Sequence, residues 1–344
     1  MSLMPSMLTS PAALPNFFIV GAPKAGTTSL YHYLDQHPQI FMSPIKEPNY
    51  FAAEIRPENV GDELQPQVAE DLGELQKFLH GPMRGKRFGG LVSQWDDYLR
   101  LFQSVKTEKA IGEASVCYLW SKTAAVNIRS RIPGAKIIMI LRNPAEVAFS
   151  LYLQSVTSGR VRGSFRKLLH DSRLCNKEKF SLLYPLLELG LYYEQVKRFL
   201  ELFPSESVLI LWYEQYQTRQ LETLADIFRF LNVDTTFVPD TSRRYLEPRI
   251  PRFTAISHLL RKHGAWQRGE DSAPNLLRSL WRHLFFRQRS SVTMDAKDRE
   301  WLDEYYGEDV RKLSSLLERD LTAWCQDRAG ERSGEFEKER GIQR

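Results

Sequence analysis

Residues 18–29, FIVGAPKAGTTS, bring together a lysine, two glycines and three hydroxyl side chains behind a short apolar run. A buried strand that enters a glycine turn and then a helix N-terminus makes an anion cradle. Free backbone N–H groups point at the anion and the helix dipole favours its charge. The ATP-binding version of this loop reads GxxxxGK[ST], with lysine directly after the second glycine. Gly21 and Gly26 keep that spacing, but Thr27 occupies the lysine slot and Lys24 stands three residues earlier, between Pro23 and Ala25. The amides and hydroxyls of Thr27, Thr28 and Ser29 suit the oxygens of a 5′-phosphate, and Lys24 suits the group beyond it. The loop reads as a phosphate site that is not shaped for ATP.

A second anion site follows KIIMIL: Arg142 stands at the strand end, Asn143-Pro144 come next, and Ser150 lies eight residues after Arg142. Strand C-termini line the ligand crevice of open α/β sheets. A guanidinium there can fork onto a phosphate, with Ser150 adding a hydroxyl donor two helical turns on. Phosphate-loop NTPases place an aspartate in this region to hold magnesium. An arginine at the strand end exchanges a metal ion for a second anion. The two sites together describe a nucleotide with a phosphate at each end of its ribose and no metal requirement.

On these residues the chain resembles the sulfotransferases that use 3′-phosphoadenosine 5′-phosphosulfate (PAPS). Their 5′-phosphosulfate loop is similar to Gly21–Ser29 and their 3′-phosphate motif to Ile140–Ser150. The resemblance runs from about Phe17 to Trp324. It is nearest to the branch with the heparan sulfate and bacterial enzymes, through HPQIFMSPIKEPNYF, LYYEQVKRFLELFP with VLILWYEQ, and MDAKDREWLDEYYGEDVRKLSSLL. The resemblance implies transfer of a sulfuryl group to an acceptor hydroxyl or amine, with adenosine 3′,5′-bisphosphate as the other product. It implies that Glu47, in KEPNYF, takes the acceptor proton, a task a partly buried carboxylate can be tuned for. It implies that Lys24 neutralises the bridging oxygen as the sulfur–oxygen bond breaks. Tyr213 matches an aromatic residue that meets adenine, with a plain core tyrosine as the equal alternative. Glu113 matches half of a Glu-Lys pair near the acceptor, but Ala114 replaces the lysine, which argues against substrate contact. Relatives often cap the cofactor with a Lys/Arg-Gly stretch. Here SRRYLEPRIPRF stands instead, so Arg249 and Arg252, or alternatively Arg243 and Arg244, are the candidates for the 3′-phosphate. His32 and His37 fall on the first helix and its end, where they read as packing or capping residues.

The elements that must position these groups alternate strand and helix, which favours one α/β domain: a central, mostly parallel sheet flanked by helices, with a P-loop-like core. Strands are expected at 17–20, 110–113, 136–141 and 208–212. Helices are expected at 27–36, 123–131, after Asn143, at 191–203, 221–231 and 301–317, with irregular polar chain and two acidic helical patches over 54–105. Asn143 as N-cap, Pro144 at N1 and Glu146 at N3 make a strong helix start. Residues 1–15 read as a flexible tail, 16–325 as the domain with a basic capping segment at 243–290, and 326–344 as a charged tail.

Length (344 residues) and composition (42% hydrophobic, 26% charged) are those of an ordinary globular protein. A net charge of +5 suits an anionic ligand and is too mild to imply nucleic acid. Cys117, Cys175 and Cys325 match no metal or disulfide spacing, and no apolar run approaches a membrane span, so a reducing, cytoplasmic setting is expected. Membrane-surface contact through LLRSLWRHLFFRQR is the lesser reading of that basic segment. The acceptor, whether carbohydrate, lipid or small metabolite, carries no readable motif. Two other functions compete. A phosphate-loop kinase would need ATP and magnesium, against which the lysine position and the missing aspartate count. A non-catalytic binder of the nucleotide or of a sulfated glycan would have no use for Lys24 and Glu47.

Overall fold

Phe17, Phe18, Ile19 and Val20 are all 0% exposed. A strand buried on both faces has no polar side to alternate with, and this continuous apolar run therefore becomes the centre of a parallel sheet. The computed structural model describes residues 13–242 apart from 63, 159, 162, 176 and 182, then the backbone of 249–251 and 286–288, and residues 292–325. Its chain sorts into two compact units, Met1–Arg142 with Asn176–Ser181 and Arg198–Leu246, and Asn143–Cys175 with Leu182–Lys197 and Glu247–Arg344. Each unit is assembled from separated segments, so no single linker divides them.

The first unit holds a five-stranded sheet in the order β2-β5-β1-β6-β7. These are β1 Phe17–Gly21, β2 Ile40–Met42, β5 Ala110–Ala114, β6 Lys136–Leu141 and β7 Val208–Trp212, all parallel. After β1 the chain goes first to β2 at one edge and returns to β5. It then continues on the other side of β1 with β6 and β7. The C-terminal end of β1 is thus the point where the winding reverses, the place where open α/β sheets bind ligands. Between β2 and β5 a two-stranded parallel ribbon joins β3, Ile45–Lys46, to β4, Arg87–Phe88. The helices of this unit are α1 Thr27–Leu34, α2 Gln65–His80, α3 Trp95–Arg100, α4 Cys117–Trp120 and α5 Ala124–Arg131, then α9 Tyr213–Thr218 and α10 Gln220–Leu231.

The second unit contains α6 Pro144–Thr157, α7 Phe165–Leu174, the start of α8 Tyr192–Leu202, and the long α11 Ala296–Leu316. Asn143 caps α6 as expected: its Oδ1 accepts from Ala145 N and Glu146 N, and its Nδ2 donates to the Trp324 carbonyl at 2.8 Å. Tyr306 of α11 donates to the Leu187 carbonyl at 2.9 Å, and Arg299 reaches Glu146 and Asp303. A Cβ on Gly190 would meet Pro144 and Tyr306 at 2.8 Å, so these elements approach too closely for any other residue.

Several elements differ from the sequence expectation. α1 ends at Leu34 rather than residue 36. The stretch 54–105 carries a sixteen-residue helix, α2, and the ribbon strand β4. Strand β2 is three residues long and has no pattern of its own to announce it. α11 begins five residues early, because Asp295 Oδ1 accepts from Lys297 N and caps it there. The sheet of Arg249–Pro251 and Phe286–Gln288 is antiparallel. Arg243, Arg244 and Arg252 lie outside the described residues, and only the backbone of Arg249 is described. Most of the two tails, 1–12 and 326–344, also lies outside them.

Candidate active site

The loop after β1 is built for close approach. A Cβ on Gly21 would stand 2.7 Å from Leu119 Cβ, and one on Gly26 would stand 3.0 Å from the Tyr216 ring. Gly26 also has φ +83°, which a side chain would resist, and it occupies the N-cap of α1. No side chain caps that helix, so its first-turn amides keep their capacity for an external acceptor. Thr27 is buried, Thr28 and Ser29 are half-buried, and all three follow directly on those amides. Pro23 and Ala25 are buried, and Ala25 N closes a turn onto Ala22 O, so these two residues frame the loop through packing and backbone. Lys24 is partly exposed and adopts φ +60°, a left-handed conformation uncommon outside glycine.

The reason Lys24 can hold that conformation lies 118 residues away. Arg142, 7% exposed at the end of β6, donates from Nη1 to the Lys24 carbonyl at 2.8 Å. Its guanidinium lies over the Tyr213 ring, 4.4 Å from the centroid. Tyr213 in turn stands 3.4 Å from where a Gly26 Cβ would be, and its hydroxyl accepts from Gln217 Nε2 at 2.7 Å. The loop, the strand-end arginine and the candidate adenine-side aromatic therefore meet in one place. Ser150 belongs to the second unit, two turns into α6. It is 0% exposed, and its Oγ has no hydrogen-bond partner among the described residues. A buried hydroxyl without a partner costs free energy, which a bound acceptor group would recover.

Glu47 sits on a strained loop. It has φ +67° immediately before Pro48, and Asn49 has φ +61°. Each is a conformation that persists only when surroundings over-determine it. They do: Glu47 N donates to Ala114 O at 2.7 Å, Gly89 N to Lys46 O at 2.8 Å and Val92 N to Pro48 O at 3.0 Å. Asn49 Nδ2 donates to the carbonyls of Glu47 and Gly90, its backbone N–H donates to Ser115 Oγ, and its Oδ1 accepts from Cys117 Sγ. The Glu47 side chain is 33% exposed and accepts from Lys46 Nζ at 2.5 Å. Sequence reasoning named Glu47 but missed Lys46 and Asn49. The signal was present in Lys46-Glu47-Pro48-Asn49, since asparagine tolerates the left-handed region better than most residues.

Beneath this loop, Glu113 is fully buried and accepts from Tyr98 OH and Ser115 Oγ, both at 2.6 Å. It has no exposure to an acceptor, in keeping with the sequence argument against substrate contact. Burial pushes its carboxyl up to about 7, against which the hydrogen bonds from Ser115, Tyr98 and Tyr118 work only in part. Between about pH 4.5 and 7 the folded protein keeps a proton that the unfolded chain has released, so raising pH through this window removes stability. The loss is complete above 7 and reaches about 3 kcal/mol. Glu113→Gln cannot titrate. Urea unfolding at pH 5 and pH 8 should therefore show the variant gaining on wild type at the higher pH, and equal differences at both would refute this.

His37 is 1% exposed between Phe228 and Phe237, with Nε2 on Asp234 O and Nδ1 accepting from Gln39 N. It is a packed, bonded core histidine. His32 lies against Tyr31 and Phe88. Among the described residues no group of three or more His, Cys, Asp or Glu is placed to hold a metal ion, and no helix is long and apolar enough to cross a membrane.

The profile of the sulfotransferase family matches residues 15–237, a span that contains the loop, Glu47, Arg142, Ser150 and Tyr213. A sulfotransferase from Alicyclobacillus acidocaldarius, known from its crystal structure, is 32% identical with a TM-score of 0.66, the match covering 91% of this chain and 99% of that one. Rat carbohydrate sulfotransferase 15 is 27% identical over 261 residues, 64% of this chain and 44% of the relative. Bovine bifunctional heparan sulfate N-deacetylase/N-sulfotransferase 2 is 26% identical over 309 residues, 89% of this chain and 30% of the relative. The chain thus spans less than half the length of these two curated relatives. A glycine loop with its lysine moved back, clipped by a strand-end arginine, and a profile match across most of the described chain lead to one conclusion: the chain belongs to the sulfotransferase family.

Proposed function

We propose that this protein transfers the sulfuryl group of PAPS to a hydroxyl or amine of an acceptor. The observation that carries this is the Arg142–Lys24 hydrogen bond, because it joins the two anion-binding motifs. The residues fit the donor. The uncapped N-terminus of α1 offers amides to a 5′-phosphate, Arg142 offers a guanidinium to the 3′-phosphate, and the Ser150 hydroxyl has no hydrogen-bond partner among the described residues. Tyr213, with one face on Arg142, is the candidate adenine contact. Arg249 and Arg252 remain candidates for closing over the 3′-phosphate. Lys24 neutralises the charge that gathers on the leaving phosphate, and Glu47 receives the acceptor proton. No metal takes part in this scheme.

The acceptor is a carbohydrate, lipid or small metabolite. The names of the carbohydrate and heparan sulfate relatives put sugars first in an acceptor screen. A reducing, cytoplasmic setting belongs to the same proposal, supported by the spacing of Cys117, Cys175 and Cys325, which fits no disulfide framework.

The test is a thermal-shift titration with adenosine 3′,5′-bisphosphate in the presence of a chelator, on wild type and Arg142→Ala. At a hundredfold excess over Kd the wild type should gain about 2.7 kcal/mol of stability, read as a rise in Tm. The variant should lose most of that gain, because it loses a phosphate contact and the clip on Lys24. A response to ATP with magnesium, and none to the bisphosphate, would overturn the proposal in favour of a kinase.

A further inference from the structure

Lys46 takes no part in the scheme above, yet it is only 2% exposed. Its Nζ donates to Glu47 Oε1 at 2.5 Å, and among the described residues this carboxylate is its only hydrogen-bond or ion-pair partner. An ammonium taken out of water needs a counter-charge, and removing that charge is costly. The backbone around the pair is equally constrained. Lys46 pairs with Phe88 in the β3–β4 ribbon, its carbonyl accepts from Gly89 N, and the next residue is the left-handed Glu47. The carboxylate is thereby held at one oxygen. Its other oxygen, Oε2, has no hydrogen bond among the described residues, on a side chain that is one-third exposed.

We propose that Lys46 is the positioning residue of the base: it pins Oε1 of Glu47 so that Oε2 faces the acceptor, and it supplies the charge that balances the transfer. The inference rests on Glu47 acting as the base. In the step, the acceptor O–H or N–H bond breaks and its proton goes to Oε2. The acceptor atom bonds to sulfur while the sulfur–oxygen bond to the phosphate breaks, its electron pair staying on that oxygen. The Lys46–Glu47 pair then changes from neutral to one positive charge, as the acceptor gains one negative charge. Without Lys46 the carboxylate is neither oriented nor matched in charge to its product. The lysine acts through Glu47 and touches neither substrate.

The experiment compares Lys46→Met, Glu47→Gln and the double variant, with wild type as reference. Methionine keeps the length and apolar stem of the lysine. Each variant is assayed for the Tm rise with adenosine 3′,5′-bisphosphate and for kcat and acceptor KM. Lys46→Met should keep the Tm rise, lose about tenfold or more in kcat, and leave acceptor KM within about threefold. The double variant should be no slower than Glu47→Gln alone, since the lysine has nothing left to position. It also removes both charges of the pair together, so it remains informative if Lys46→Met fails to fold. A wild-type kcat for Lys46→Met, or a double variant whose loss is the product of the two single losses, would overturn the role of Lys46 while leaving Glu47 as the base. A wild-type kcat for Glu47→Gln would overturn both.

Discussion

Glu47→Gln should lower kcat by about 10²–10⁴-fold, the range a positioned general base contributes, and leave the Tm response to adenosine 3′,5′-bisphosphate unchanged. Glutamine keeps the shape of the side chain and an oxygen for Lys46, and the bonds of the Glu47 backbone to Ala114 and to the Asn49 side chain do not involve the carboxylate. What is lost is the capacity to take a proton, together with the counter-charge of Lys46, whose removal lowers stability without touching the nucleotide site. The backbone supports this choice over any surface carboxylate. Glu47 holds a left-handed conformation before a proline, and Asn49 does the same just after it. Strain of about 1–3 kcal/mol per residue persists where the fold enforces it, and such strain gathers at functional sites. Steady-state kinetics with a responsive acceptor, beside the bisphosphate titration, checks the prediction. Wild-type turnover by Glu47→Gln would place the base elsewhere.

Lys24→Ala should cost about 10²–10³-fold in kcat, the loss seen when one preorganised donor to developing charge is removed. Part of any loss could come from the backbone, since Lys24 holds φ +60° and its carbonyl receives Arg142. Lys24→Gly separates the two effects. Glycine takes this conformation without the left-handed penalty of about 1–2 kcal/mol, so this variant should be no less stable than Lys24→Ala. Both should be equally slow, because both lack the ammonium. Denaturation and kinetics on the pair read this directly. A glycine variant that recovers activity would show that loop geometry, not charge, is what Lys24 contributes.

Much of the fold was legible in the sequence where the signal is local. The strands at 136–141 and 208–212 fall where the apolar runs placed them: the first is buried on both faces and so reads as an unbroken apolar segment, and the second, partly exposed at the sheet edge, is apolar throughout as well. The start of α1 follows from Gly26, and that of α6 from Asn143-Pro144, because capping depends on the three or four residues at hand. The reading of 21–29 and of Arg142 as anion sites rests on residue type and spacing, which are local in the same way.

Other features had no local signal. Strand β2 and the β3–β4 ribbon are two or three residues long, and their stability comes from the partners they pair with rather than from their own pattern. The interleaving of the two units has no local signal, since each is assembled from segments far apart in the chain. Lys46 would be assigned to solvent on residue type alone; its burial against Glu47 depends on a ribbon whose other strand is about forty residues downstream. By itself the sequence determined which groups are available for the chemistry and the short elements that carry them. The tertiary structure decided which of those groups meet: Arg142 on Lys24, Tyr213 beneath Arg142, Lys46 on Glu47. Hydrogen bonds and ion pairs act over a few ångströms, and only the folded chain brings residues so far apart in sequence within that range.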